Sequence, residues 1–350
     1  MRAVPHLQGA VMERIRIGVL GAARIAPTAL TKPARLIPEV TVAAVAARDP
    51  DKAEKFARRQ GIRTVHRDYA ELLADPALDS VYIPLPNGLH AEWTLRALEA
   101  GKHVLCEKPM TANEAEAREV AEAAKRSGLV CVEAFHWRYH PVARRMREIV
   151  DEGEIGPVRH VSASMCFPLP LPRDIRYDYA LAGGSLMDGG CYAVNAVRHL
   201  APYPASPDQR IEVTRAHATT LRREPRVDRA MEAHLTLPGG ATATVRSSMW
   251  SRRAFSIAAK VVGDRGTMAV TNYVAPQYWH RFTVTVEGRT RREYLGQAAK
   301  TSSYQYQLQA FADAVRHGVE PATSAEDAVE TMRLIDAIYR KAGLPVRNTL

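Results

Sequence analysis

Apolar positions follow two different rhythms along this chain. From residue 14 to about 150, short apolar runs of strand length alternate with longer, mixed segments of helix length. Arg14–Leu20, Val40–Ala46, Ser80–Leu85, the run at Val104 and Leu129–Ala134 read as strands. Continuous apolar character marks strands covered on both faces. Between them the pattern predicts a helix from about Arg24, and a second begun by Asp49-Pro50, which supplies N-cap and N1 chemistry. Ala91–Ala100 is a helix ended by Gly101, and Ala112–Arg126 is one closed by Ser127-Gly128. Strand and helix in alternation predict a doubly wound parallel sheet.

The second rhythm begins after residue 150. Val158–Cys166, Glu232–Leu237, Ala241–Trp250, Phe255–Val262 and Thr267–Thr271 are strand-like and follow one another through turns such as Pro238-Gly239-Gly240. Strands without intervening helices predict a mostly antiparallel, open sheet. One helix interrupts this region, from about Ser185 to Leu200 behind Gly183-Gly184, and two close the chain, Tyr304–His317 and Ala325–Ala342. The fold expected is therefore α/β, with an N-terminal doubly wound sheet and a C-terminal α+β domain. The division places a disordered extension at 1–12, a dinucleotide-binding domain at 13–135 and a substrate and oligomerisation domain at 136–350. The last helices are expected to pack back towards the N-terminal domain.

Composition narrows the partners. The 350 residues are 46% hydrophobic and 25% charged, an ordinary globular balance, and no apolar run reaches membrane-spanning length. The net charge of +10 comes from scattered basic residues interrupted by acids, with no nucleic-acid-binding module. Neither nucleic acid nor membrane is an expected partner. Cys106, Cys131, Cys166 and Cys191 are widely spread, with no C-x-x-C pair. They read as buried thiols rather than ligands, so no metal is expected and the cytoplasm is the expected compartment.

Candidate chemistry collects at strand ends. Gly18-Val19-Leu20-Gly21-Ala22-Ala23-Arg24-Ile25-Ala26 has the position of a Rossmann G-x-G-x-x-G turn, with alanine at its second and third glycine sites. Gly21, Ala22, Ala23, Arg24 and Ile25 form the candidate pyrophosphate cradle, because a helix amino terminus offers unpaired N–H groups and a favourable dipole. After the second strand, Arg48 can pair with a 2′-phosphate. Asp49 is the competing ribose ligand, or simply the N-cap ahead of Pro50. Arg48, with alanine at 47, favours NADP(H), and NAD(H) is the alternative cofactor. Glu107 and Lys108 stand at the carboxyl end of a strand that Pro109 terminates, where open α/β sheets bind ligands. Asp188 and Tyr192, four apart, share one helix face. A tyrosine exchanges a proton efficiently near neutrality only if a cation lowers its pKa, and Lys108 is the expected cation.

Together these residues resemble the Gfo/Idh/MocA family of nicotinamide-dependent oxidoreductases, from Arg14 to the end. The resemblance rests on Ile17–Ala23, Pro86-Asn87 with His90, Glu107-Lys108-Pro109 and Glu133–Pro141. It continues in Asp188-x-x-x-Tyr192, Phe311-Ala312-Asp313-Ala314 and Asp336-Ala337-Ile338-Tyr339. Within the family the chain is most similar to the dihydrodiol and aldose dehydrogenase branch. The resemblance implies Lys108 and Tyr192 as the catalytic pair, with Asp188 assisting. It implies nicotinamide-side contacts from Leu85, Asn87, His90, Glu107, Trp137 and Arg138. It further implies a polyol or sugar substrate and a homo-oligomer built through the C-terminal sheet. Two other functions stay open: a redox-neutral elimination, epimerisation or glycoside hydrolysis on bound cofactor, and a non-catalytic dinucleotide sensor. The pocket walls are expected in the loops Phe167–Asp178 and Val274–Arg281.

Overall fold

A computed structural model describes residues 14–171, 173–206, 208–250 and 255–347. The extension expected at 1–12 lies outside them. The first sheet is six-stranded and wholly parallel: β1 (Ile15–Leu20), β2 (Val40–Ala46), β3 (Thr64–His66), β4 (Ser80–Ile83), β5 (His103–Cys106) and β6 (Cys131–Glu133). Their spatial order is 3-2-1-4-5-6. The order reverses between β1 and β4, so the loops leaving their carboxyl ends diverge and open a crevice. The sequence pattern overlooks β3, whose Thr64 and Val65 are exposed at the sheet edge and carry no buried apolar signal.

The helices of this half are α1 (Lys32–Ala34), α2 (Pro50–Gln60), α3 (Tyr69–Ala74), α4 (His90–Glu99) and α5 (Glu114–Ser127). The helix expected from Arg24 starts later and is irregular: a π turn, Pro27–Thr31, leads into the short α1. Pro27 and Pro33 cannot donate backbone hydrogen bonds, which prevents a regular helix there. The next helix, α6 (Pro141–Asp151), was not foreseen; His140 caps it, its Nδ1 facing Val142 N at 3.2 Å.

The second sheet has eight strands: β7 (Val158–Cys166), β8 (Glu212–Thr220), β9 (Asp228–Thr236), β10 (Thr242–Ser248), β11 (Ser256–Gly263), β12 (Gly266–Thr271), β13 (Arg281–Val286) and β14 (Arg289–Arg292). The order is 14-13-12-11-7-10-9-8, antiparallel except for the β7–β10 pair. Before β8 runs the helix α7 (Cys191–Leu200), whose Ala193, Val194 and Val197 share a core with Val161, Ala243 and Val245 of the sheet. Opposite this helix-covered face the sheet presents polar side chains, among them Glu232, Thr244 and Arg246. The closing helices are α8 (Ser303–His317) and α9 (Ala325–Lys341). Leu308 and Phe311 of α8 enter the core of Ile17, Val19 and Leu105, while α9 contributes Ala325 and Ala328 to one half and Met332, Ile335 and Tyr339 to the other. All four cysteines are buried free thiols, and no described helix is long and apolar enough to cross a membrane.

Candidate active site

The crevice at the β1–β4 reversal deepens into a cleft of about 800 Å³, lined from both halves of the molecule. Its floor starts at Gly21, which has φ +112°; a Cβ there would sit 3.2 Å from Leu85 Cδ2, so the turn between β1 and the Pro27 helix needs glycine. Ala22, Ala23, Arg24 and Ile25 line the cleft beside it. At one end stand Arg48, Asp49 and Lys52, past the carboxyl end of β2. Asp49 is engaged as the N-cap of α2: its carboxylate accepts Lys52 N at 3.2 Å and pairs with Lys52 Nζ at 3.4 Å. Arg48 is exposed at the rim. Lys52 was missed in the sequence because it reads there only as a polar position on a helix.

At the other end, Leu85, Asn87, Glu107 and Lys108 meet Asp188, Tyr192 and Tyr304. Lys108 leaves the end of β5, and its Nζ donates to the backbone carbonyl of Asp188 at 2.7 Å and stands 3.7 Å from the Asp188 carboxylate. Burial opposes the Lys108 charge, but Asp188, Cys191 and Glu107 outweigh it and hold the ammonium above the ordinary lysine value. The other Asp188 oxygen pairs with Arg176 Nε at 3.0 Å, so the carboxylate lies between two cations. Arg176 comes from the loop 167–178, which holds Pro168, Pro170 and Pro172 and in which nothing in the sequence distinguished it. Glu107 turns one oxygen back to accept the Tyr82 hydroxyl at 2.7 Å.

The segment carrying Asp188 and Tyr192 departs from the expected regular helix. Leu186–Gly190 is a π turn, and regular α7 starts only at Cys191. Asp228 anchors this turn, accepting Leu186 N at 2.7 Å and Ser185 Oγ at 2.8 Å. Asp188 and Tyr192 still face the same cleft.

One electrostatic expectation is overturned. Lys108 Nζ lies 5.1 Å from the Tyr192 ring centre and is hydrogen-bonded to Asp188, while the Tyr192 hydroxyl is paired with His136 Nε2 at 3.2 Å. The phenol pKa is not lowered. Burial, reinforced by Tyr304, Glu107, Cys191 and Asp188, pushes it well above the ordinary tyrosine value.

Three residues expected at the nicotinamide side are not on the cleft. His90 is buried beneath it, Nδ1 2.7 Å from the Pro109 carbonyl and Nε2 2.8 Å from the Leu85 carbonyl. Burial lowers its pKa to about 4, so the neutral ring donates to one carbonyl at a time and ties together the two loops that carry Leu85 and Lys108. Trp137 is fully buried, edge-on to His199 and Tyr273 in the second core. Arg138 follows Trp137 in the same 3₁₀ turn, and burial works against its charge there. Phe135, His136 and Trp137 are buried, and neither Trp137 nor Arg138 lines the cleft. Of the expected wall loops, Phe167, Leu169, Leu171 and Ile175 line the cleft, and the 274–281 loop contributes no lining residue.

A family model described as an oxidoreductase family with an NAD-binding Rossmann fold matches residues 15–135, and the GFO/IDH/MocA C-terminal domain matches 143–269. The chain is 40% identical over 327 residues to D-xylose 1-dehydrogenase (NADP(+)) 2 of Haloferax volcanii, covering 93% of this chain and 96% of that protein. It superposes with a TM-score of 0.83 and 31% identity on a 3-ketoreductase from Actinomadura kijaniata in complex with NADP and TDP-benzene, covering 94% and 98% of the two chains. The aldose-aldose oxidoreductase of Caulobacter crescentus, complexed with glycerol, gives 0.84 at 27% identity, covering 95% and 98%.

Proposed function

The chain belongs to the Gfo/Idh/MocA family and is an NAD(P)-dependent oxidoreductase acting on CH–OH groups of sugars or cyclic diols, and we propose that Lys108, Asp188 and Tyr192 carry its chemistry with NADP(H) as cofactor. The observation that carries this reading is convergence. Lys108 from the first half and Asp188 and Tyr192 from the second face one cleft whose floor is the Gly21 turn. The cleft suits a dinucleotide: it is lined from both halves, its turn at Gly21 has a φ that favours glycine and leaves space that a Cβ would crowd against Leu85, and Arg48 and Lys52 make one end basic. Gly21, Ala22, Ala23, Arg24 and Ile25 would hold the pyrophosphate, Arg48 the 2′-phosphate, and Leu85, Asn87 and Glu107 the nicotinamide side. When bound, the cofactor supplies the hydride-exchanging carbon.

The reacting oxygen of the substrate then lies between Lys108 and Tyr192. Lys108, permanently charged, donates to that oxygen and stabilises negative charge developing on it. Tyr192 exchanges its proton. Asp188, fixed between Lys108 and Arg176, accepts from a neighbouring hydroxyl and orients the ring. The division of labour at 135/136 belongs to the same proposal, as does a homo-oligomer formed through the polar face of the second sheet, which no described helix covers. The deciding experiment is a screen of purified protein with NADP⁺ against aldoses, inositols and aromatic dihydrodiols, read as formation of reduced nicotinamide. Turnover of at least one of these classes is expected; no turnover across all three overturns the assignment.

A further inference from the structure

Behind Tyr192, away from the cleft, hydrogen-bonding groups continue in a line. The Tyr192 hydroxyl lies 3.2 Å from His136 Nε2, His136 Nδ1 lies 2.8 Å from Ser303 Oγ, and Ser303 Oγ donates to Gln277 Oε1 at 3.1 Å. Donor and acceptor counting orients this line. Ser303 gives its proton to the Gln277 carbonyl oxygen, so its oxygen accepts Nδ1–H of His136. The neutral imidazole then presents the Nε2 lone pair to Tyr192, and the phenol donates inward while its oxygen faces the cleft. His136 and Ser303 are fully buried, Tyr304 lies over the imidazole with ring centres 4.0 Å apart, and Gln277 is half-buried beside exposed Tyr278 and Trp279. Such a chain is out of place in a purely apolar core, where each polar group costs desolvation energy.

We propose that His136 and Ser303 form a proton relay behind Tyr192 that carries the proton of the oxidised hydroxyl from the cleft towards Gln277 and solvent. The proposal rests on Tyr192 as the proton-exchanging group, and both relay members are positioning residues that act through it. In the oxidising direction the carbon's hydride goes to the cofactor and the hydroxyl proton to Tyr192 Oη. The original phenolic proton passes to His136 Nε2, and the Nδ1 proton passes to Ser303 Oγ. The Ser303 proton leaves to water that reaches Oγ when the Gln277 side chain turns outward. Tyrosine and histidine both begin and end neutral; the imidazole only exchanges its tautomer.

The surroundings suit that neutrality. The titratable groups facing the pair are Lys108 beyond β5, His140 in the adjoining turn, Tyr304 on α8, and Glu107, Cys191 and Asp188 around the phenol. Burial, with Lys108 and His140, drives the imidazole pKa down to about 3, and burial drives the phenol up. Neither imidazolium nor phenolate has to persist if the protons move in series.

Two measurements test the relay. The first needs no substrate: ¹⁵N spectra of histidine-labelled wild-type enzyme at neutral pH should show His136 as the neutral Nδ1–H tautomer, and Ser303→Ala should remove that preference. An Nε2–H tautomer or an imidazolium overturns the relay, whatever the substrate proves to be. The second is the pH profile of His136→Leu with a substrate found in the screen. Without the relay, oxidation waits on ionisation of Tyr192 itself. Turnover should fall about 10²-fold near neutrality and recover as pH rises towards the phenol's own range, with NADP⁺ affinity unchanged. A loss of equal size at every pH, or no loss, overturns the proposal. If wild-type enzyme oxidises none of the candidate substrates, the reading of function fails and the tautomer still decides the relay.

Discussion

Single side chains carry the sharpest expectations. Tyr192→Phe keeps the ring that packs edge-on against Phe135 and loses only the hydroxyl. Lys108→Ala removes the cation proposed to meet the reacting oxygen and leaves Asp188 to Arg176 alone. Each should lower turnover by ~10²–10⁴-fold while NADP(H) still binds, as steady-state rates and cofactor titration would show; a folded, cofactor-binding Tyr192→Phe with near-native turnover contradicts the mechanism. Glu133 gives a prediction independent of catalysis. One of its oxygens accepts Met110 N at 2.8 Å, the other is buried without a partner, and burial pushes its pKa up to about 8. The unfolded chain releases this proton near ~4.3. Between those values the folded protein holds a proton that the unfolded chain gives up, so stability falls as pH rises and levels off above the folded value. The glutamate's stabilising contribution is complete below the unfolded value only. Glu133→Gln, uncharged throughout, should match wild type near pH ~5 and exceed it at pH ~9 by on the order of 4 kcal/mol. Denaturant titrations at the two pH values that show the same difference would contradict it.

At the scale of the element, the proposed cofactor preference rests on the start of α2. Asp49, occupied in capping the helix and pairing with Lys52, is not free to act as a dedicated ribose ligand, while Arg48 projects from the preceding position into the open rim. A charge-assisted phosphate contact is worth ~1.5–3 kcal/mol, or about one to two decades in affinity. Arg48→Ala should lose most of that for NADP(H) and little for NAD(H), as paired fluorescence titrations would read. Equal affinity of the wild type for both cofactors contradicts the assignment. The π turn at Leu186–Gly190 shows the limit of periodicity. The i, i+4 spacing of Asp188 and Tyr192 put both at one site, but the turn that aims them depends on Asp228, forty residues on, which holds Leu186 N.

Across the whole molecule, the chain's last described residue closes the structure. Arg347 is fully buried; it donates to Asp228 at 3.1 Å and to the Gly183 carbonyl at 2.9 Å, and its own carbonyl accepts Asn113 at the head of α5. Breaking such a pair leaves Asp228 buried without its counter-charge, held by the neutral donors Leu186 N, Ser185 and Tyr339. Arg347→Met should therefore cost ~3–5 kcal/mol of stability, and a chemical-denaturation loss below ~1 kcal/mol would show the anchor to be incidental. By itself the sequence determined much of this protein. The short, largely apolar runs at Arg14–Leu20, Val40–Ala46 and Val104–Cys106 specified buried parallel strands, because their strand length and their alternation with helix-length segments leave that element as the fitting one. The Gly21 turn, Lys108 at a strand end and the Asp188–Tyr192 spacing are local signals, and they marked the cleft's two ends. What only tertiary structure decided are relations between distant segments. His136 and Ser303, Lys108 and Asp188, and Asp228 and Arg347 lie far apart in the chain, and no local pattern records which partner each will meet. The protonation of Tyr192 belongs to the same class. Its pKa is set by burial, reinforced by Tyr304 and Glu107 from distant segments and by Cys191 and Asp188 of its own, so burial rather than the cation suggested by the motif determined whether the phenol would be charged.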